Sequence, residues 1–169
     1  MLIIKKVPPE SSIAMEGAEL LLKSSCYKHA LLTTQEFVKC CNSIYVITDE
    51  SYGSMFGVIA CRRIYANEVD KFVLYHPQKY HTIYQIDALH YDKSTSDDIR
   101  RELIETCLND KNDAMIILKA KCTNVVHDYK LLKSIGFEKR FVTREAIYYV
   151  RPPKKRDNRV MKVIKNLFT

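Results

Sequence analysis

Leu131-Leu132-Lys133-Ser134-Ile135-Gly136-Phe137-Glu138 decides how the second half of this chain is read. Leu131, Leu132 and Ile135 recur at helical spacing within residues 128–135, and Gly136 follows where a left-handed stop is favoured. The pattern then turns to strand, with two β-favouring runs at residues 137–142 and 145–150 on either side of Thr143-Arg144. Working backwards, residues 114–120 (Ala-Met-Ile-Ile-Leu-Lys-Ala) are almost continuously apolar and of strand length. Such a run is expected of a strand covered on both faces, the best candidate for the sheet centre. Before it, Ile99, Leu103, Ile104, Cys107 and Leu108 share one face of a helix that ends at the polar cluster 109–113.

Further out, residues 82–91 read as one strand. Residues 43–48 and 55–65 read as a hairpin around the turn-like Asp49-Glu50-Ser51-Tyr52-Gly53. At the start, residues 2–7 form a short β run stopped by Pro8-Pro9, which cannot donate to a ladder. Ser11 or Ser12 can cap a helix carrying Ile13, Ala18, Leu20, Leu21 and Leu22. Thr33 or Thr34 can cap a second over residues 35–41. The resulting order is β-α-α-β-β-β-α-β-α-β-β, an α/β (α+β) arrangement with no internal repeat.

With 169 residues the chain has the size of one domain, expected at 1–150, with a tail at 151–169. No stretch approaches the roughly 18–20 uninterrupted apolar residues of a spanning helix, and the first residues do not form a secretory signal. The expectation is an intracellular protein, cytoplasmic or nuclear, without a transmembrane segment. The six cysteines contain no C-x-x-C pair and are expected as reduced, mostly buried thiols. The five histidines offer no ligand pair at metal spacing, so no metal is expected. From Arg151 onward seven basic residues stand against Asp157, so the tail carries +6 of the net +7 and the other 150 residues carry +1.

The order of elements, with Lys133-Ser134-Ile135-Gly136-Phe137-Glu138 near its end, resembles the GNAT N-acetyltransferase superfamily over most of residues 2–150. The resemblance implies a mixed, mainly antiparallel sheet flanked by helices. It also implies an acetyl-CoA site built from a strand, a Q/R-x-x-G-x-G/A loop and a helix whose first N–H groups face the pyrophosphate. Aligned on Leu103, that loop falls on Thr95-Ser96-Asp97-Asp98-Ile99-Arg100, and there is no glycine between Gly57 and Gly136. The candidate cofactor-binding residues are therefore Ser96, Asp98, Ile99, Arg100 and Arg101, the two arginines being able to clamp phosphate in place of bare amides. Ser94, Thr95, Asp97 and Asp98 form S/T-x-x-D pairings that read as an N-terminal cap, and the two carboxylates repel a polyanion.

The family's frequent general acid, a tyrosine five residues before the Phe of Gly-Phe, is Leu132 here, which carries no proton. Tyr129, one turn earlier, is the candidate substitute. The asparagine that often opens this helix has a near match in Asn124, one residue out of register. Asp87 and His90 are the ionisable residues within the strand 82–91 and the candidate general bases. They face opposite sides unless a bulge intervenes. The degenerate loop favours loss or strong modification of acyl-CoA chemistry, with no cofactor. An active acetyltransferase using acetyl-CoA is the alternative.

The tail carries Val160, Val163, Ile164, Leu167 and Phe168 along one side of a short basic helix. Three readings are open: docking on the chain's own core, contact with an acidic partner such as a protein or nucleic acid, and an anionic membrane surface. The partner-binding candidates are Lys154, Lys155, Arg156, Arg159, Lys162 and Lys165.

Overall fold

The computed structural model describes residues 1–24, 33–51, 54–74, 76–86, 89–121 and 129–154. Strand β1 (Leu2–Val7) ends at the Pro8-Pro9 pair and pairs antiparallel with β2 (Ser43–Asp49). Between them, helix α1 (Ser12–Ser24) is started by the Ser11 hydroxyl, which accepts from the Ala14 N–H at 3.1 Å. Helix α2 (Thr34–Cys40) is started by a reciprocal cap. The Glu36 N–H donates to Thr33 Oγ1 at 3.2 Å and the Thr33 N–H donates to Glu36 Oε2 at 2.8 Å. β2 turns into β3 (Met55–Ile64) as the expected hairpin.

The segment expected as one strand over residues 82–91 is a correction, since it forms two strands, β4 (Ile83–Ile86) and β5 (Leu89–Tyr91). Both pair antiparallel with β3, but the register changes between them: Gln85 stands opposite Arg62 and Leu89 opposite Ile59. Four steps along the chain thus match three on β3, the signature of one extra residue in the strand. Alternation of side chains in the sequence reports the pleat and is blind to a change of partner, which is why the split was not visible there.

Helix α3 (Asp97–Leu108) leads to β6 (Met115–Lys121), which runs parallel to β4 from Ile83 opposite Met115 to Ile86 opposite Leu118. Helix α4 (Tyr129–Ser134) then leads to β7 (Glu138–Val142) and β8 (Ala146–Arg151), an antiparallel pair, with β8 also flanking β6 along its length. The sheet order is β1-β2-β3-β4-β6-β8-β7, with β5 alongside β3. The middle position belongs to β4, and β6, the strand expected there, lies beside it.

Alternating residues assign the two faces. Ile47, Ile59, Ile116, Leu118 and Tyr149 meet Leu103, Ile104 and Cys107 of α3 and Leu131 and Leu132 of α4. On the other face Ile44, Val46, Val58 and Ala60 pack on Ala14, Ala18 and Leu21 of α1 and on Phe37 and Val38 of α2. Beyond them Ile83, Met115, Ile117, Tyr148 and Val150 are covered by Val69, Val73 and Leu74 from the β3–β4 connection. That connection contains two short 3-10 turns, Ala66–Glu68 and Pro77–Lys79.

Of the four described cysteines, Cys61 and Cys107 are buried, Cys41 is partly buried and Cys40 is exposed. No helix among the described residues is long and apolar enough to cross a membrane.

Gly136 has φ +96°, and a Cβ added there would meet Arg151 Cγ at an ordinary 3.7 Å. The backbone conformation, not crowding, therefore makes glycine necessary. Gly136→Ala is expected to lower the unfolding free energy by about 1–2 kcal/mol, read as a shift in the denaturant midpoint at unchanged slope.

Candidate functional site

β6 has two edges. One is taken by β8 as far as Lys121, and the other by β4 only as far as Leu118. β5, displaced by the register change, follows β3 and makes no ladder with β6. The sheet therefore opens between β5 and the last residues of β6, and the chain leaving β5 enters α3 beside this opening. Backbone groups that face such a notch must find partners outside the sheet.

The loop from β5 to α3 is stapled down. The Asp92 N–H donates to the Phe56 carbonyl at 2.7 Å, and the Thr95 N–H to the Asp92 carbonyl at 3.1 Å. Thr95 is buried, with its hydroxyl donating to the Phe56 carbonyl at 3.2 Å. Ser94 donates to Asp92 Oδ1 through its N–H at 2.8 Å and its hydroxyl at 2.6 Å. These bonds, the hydroxyl's first, hold the exposed Asp92 carboxyl below its usual range. The cap expected from Ser94 and Thr95 is corrected accordingly. Ser96 is the capping residue, and its hydroxyl accepts from the Ile99 N–H at a long 3.5 Å. Three hydroxyl residues in a row satisfy the cap preference equally in sequence, and the inward turn of Thr95 decides among them.

Arg100 folds back over this helix start, with its side chain only 15% exposed. Its guanidinium carbon lies 5.1 Å from the centre of the Tyr91 ring, Nη2 donates to the Asp92 carbonyl at 3.4 Å, and Nη1 sits 3.5 Å from Asp97 Oδ1. Asp97 and Asp98 are exposed in the first turn, where carboxylates favour the positive helix end. Arg101 is partly exposed on the same helix.

His90 stands opposite Val58, on the α1 side of the sheet. Burial pushes its pKa down, opposed by the nearby Asp92 carboxylate. Asp87, Asn124 and the tail residues Lys155, Arg156, Arg159, Lys162 and Lys165 lie outside the described residues. Tyr129 is exposed at the first turn of α4, its ring 6.4 Å from that of Tyr149. Leu132 is fully buried among core residues. The structure thus gathers Ser96, Asp98, Ile99, Arg100 and Arg101 at one helix start, with His90 on the neighbouring strand. Asp92 and Tyr91, which position Arg100, carried no signal in the sequence beyond lying just before the helix.

No protein-family model matches the sequence, and no curated protein matches it significantly. Solved structures do match. The ribosomal-protein-S18-alanine N-acetyltransferase from Escherichia coli aligns over 94% of this chain and 98% of its own, with TM-score 0.59 and 12% identity. Arabidopsis thaliana NAA60, solved with a bisubstrate analogue, aligns over 89% and 97%, with TM-score 0.61 and 10% identity. FeeM, an N-acyl amino acid synthase from uncultured soil microbes, aligns over 92% of each chain, with TM-score 0.61 and 8% identity. This is the GNAT fold.

Within the GNAT fold, the start of α3 is the place that the sequence resemblance assigns to a pyrophosphate. Thr95 is turned inward, Arg100 is committed to Tyr91, Asp92 and Asp97, and two carboxylates flank the helix start. The two carboxylates repel a polyanion, and Nη1 and Nη2 of Arg100 are already engaged. Among the described residues no group of three or more His, Cys, Asp or Glu is placed to hold a metal ion.

Because the folded-state pKa of His90 lies below its unfolded value near 6.5, the fold prefers the neutral ring. Its contribution is complete above that pH and is lost as the pH falls through the window below it. Urea unfolding should show stability falling on acidification below pH 6.5, with a smaller fall in His90→Gln. An equal fall in both proteins would assign the dependence elsewhere.

Proposed function

We propose that this chain is a GNAT-fold domain whose acyl-CoA chemistry is lost or strongly modified and which acts by binding, with its basic tail contacting an acidic partner, protein or nucleic acid. The single observation carrying this reading is the placement of Arg100. Its guanidinium lies across the start of α3, next to Asp97 and Asp98. A helix N-terminus attracts an anion through free N–H donors and a positive end. Here carboxylates already answer the positive end, and the arginine best placed to offset them is held by an aromatic face and a backbone carbonyl. The position of the general acid supports the same reading, since Leu132 is a buried core residue.

The tail enters through charge. Lys154 is exposed, and its backbone N–H donates to the Asn112 carbonyl at 2.8 Å, so the chain is still tied to the domain there. Residues 155–169 carry five basic residues against Asp157, a net of +4, which suits an acidic surface.

A second reading, acyl transfer from acetyl-CoA to an amine by direct attack in a ternary complex, is favoured by the notch between β5 and β6. In that reading His90 or Asp87 takes the proton from the attacking amine and Tyr129, exposed at the start of α4, protonates the departing thiolate. The proteins whose structures resemble this chain are N-acetyltransferases and an N-acyl amino acid synthase.

Calorimetric titration with acetyl-CoA separates the readings. No heat of binding is expected, and saturation at micromolar concentration would end the first reading. Deleting residues 155–169 is expected to abolish salt-sensitive retention on an immobilised polyanion such as heparin. Unchanged retention of the shortened chain would remove the tail from the account.

A further inference from the structure

At the end of the sheet remote from the notch, where β6 begins and β8 finishes, a buried arginine borders a cavity. Arg151 stands opposite Ile116 near the start of β6, and its side chain runs beneath Gly136. The sequence places this arginine with the tail, yet it is 4% exposed. Its guanidinium makes one hydrogen bond, from Nη2 to the Lys111 carbonyl at 3.3 Å, and buried Nε has no partner. No carboxylate among the described residues pairs with it, and Asp110 is taken by Lys111. Arginine does not escape burial by losing its proton, so a buried guanidinium calls for a counter-charge and for acceptors.

Arg151 forms part of the wall of a cavity of about 440 Å3 between the ends of α3 and α4. Lys154, Asn109, Asn112, Ser134 and Glu105 complete its polar lining. The two helix ends contribute fractional negative charge that steadies the cations but leave Nε without an acceptor. The volume lies within the roughly 300–1,000 Å3 of small-molecule sites, too large for a bare ion alone.

We propose that this cavity binds a small organic anion, its phosphate or carboxylate group held between Arg151 and Lys154 and its hydroxyl or amine donors met by Glu105 and the Asn109 and Asn112 amides. This site is independent of the α3 start and of acetyl-CoA. Phosphate and carboxylate share the chemistry of planar or tetrahedral oxygens facing a guanidinium fork. Glu105, on the same wall, disfavours a bare polyanion and favours a ligand that carries a donor.

The 169-residue chain would be titrated at constant ionic strength with inorganic phosphate, glycerol 3-phosphate and acetate, following the backbone amide resonances of Ser134 and Gly136. Saturable shifts are expected, larger in affinity for glycerol 3-phosphate than for inorganic phosphate. A response to acetate alone would identify a carboxylate ligand instead. Lys154→Gln, an exposed change, is expected to weaken binding about tenfold, the worth of one charge-assisted hydrogen bond. Arg151→Met, checked for native resonance dispersion, is expected to abolish it. The proposal fails if none of the three probes shifts these amides saturably, or if Lys154→Gln binds as tightly as the wild type.

Discussion

The architecture turns on a ladder that cannot be completed. One extra residue between Gln85 and Leu89 sets β5 one step out of register with β4 along β3. β4 keeps β6 as its other neighbour, and β5 does not. Since β6 continues to Lys121 with β8 on its far edge, the sheet must part on the near edge. That parting places an opening in the middle of an otherwise continuous sheet, sets the exit of β5 beside it, and aims the start of α3 at its rim.

At that rim the chain answers several of its own polar groups. Ser96 accepts from the Ile99 N–H, Thr95 and Asp92 are bound to Phe56, and Arg100 spans Tyr91, Asp92 and Asp97. The Asp92 bond to Phe56 is short at 2.7 Å, whereas the Arg100 bonds are 3.4–3.5 Å long and its pairing with the solvent-exposed Asp97 carboxylate is worth at most about 1 kcal/mol. Their effect is cumulative and positional. They engage the Ile99 N–H and both terminal nitrogens of Arg100, and Asp97 and Asp98 make the local potential less favourable to an anion.

Much of this was legible from residue pattern. The faces of α3 and α4, the helix stop at Gly136, the β2–β3 hairpin and the double-sided burial of β6 followed from apolar spacing and one glycine, because burial imposes those periods directly. The burial of Leu132 at the position of the expected acid was legible for the same reason. What escaped was set by partners distant in sequence. The division of residues 82–91 depends on which strand each half meets, the choice of Ser96 over Ser94 and Thr95 depends on the Phe56 carbonyl, and the fold-back of Arg100 depends on Tyr91. Arg151 looked like one more charge in a basic tail because composition does not record that β8 runs through it.

We propose that the acidic first turn of α3 and the folded-back Arg100 together keep a pyrophosphate from this helix start. The most direct measurement follows the backbone amide resonances of Asp97, Asp98 and Ile99 while inorganic pyrophosphate is added at constant ionic strength. The account predicts that these three resonances stay in place throughout the titration. Saturable movement of all three would contradict it, since the helix start would then grip the anion that its own side chains are argued to exclude.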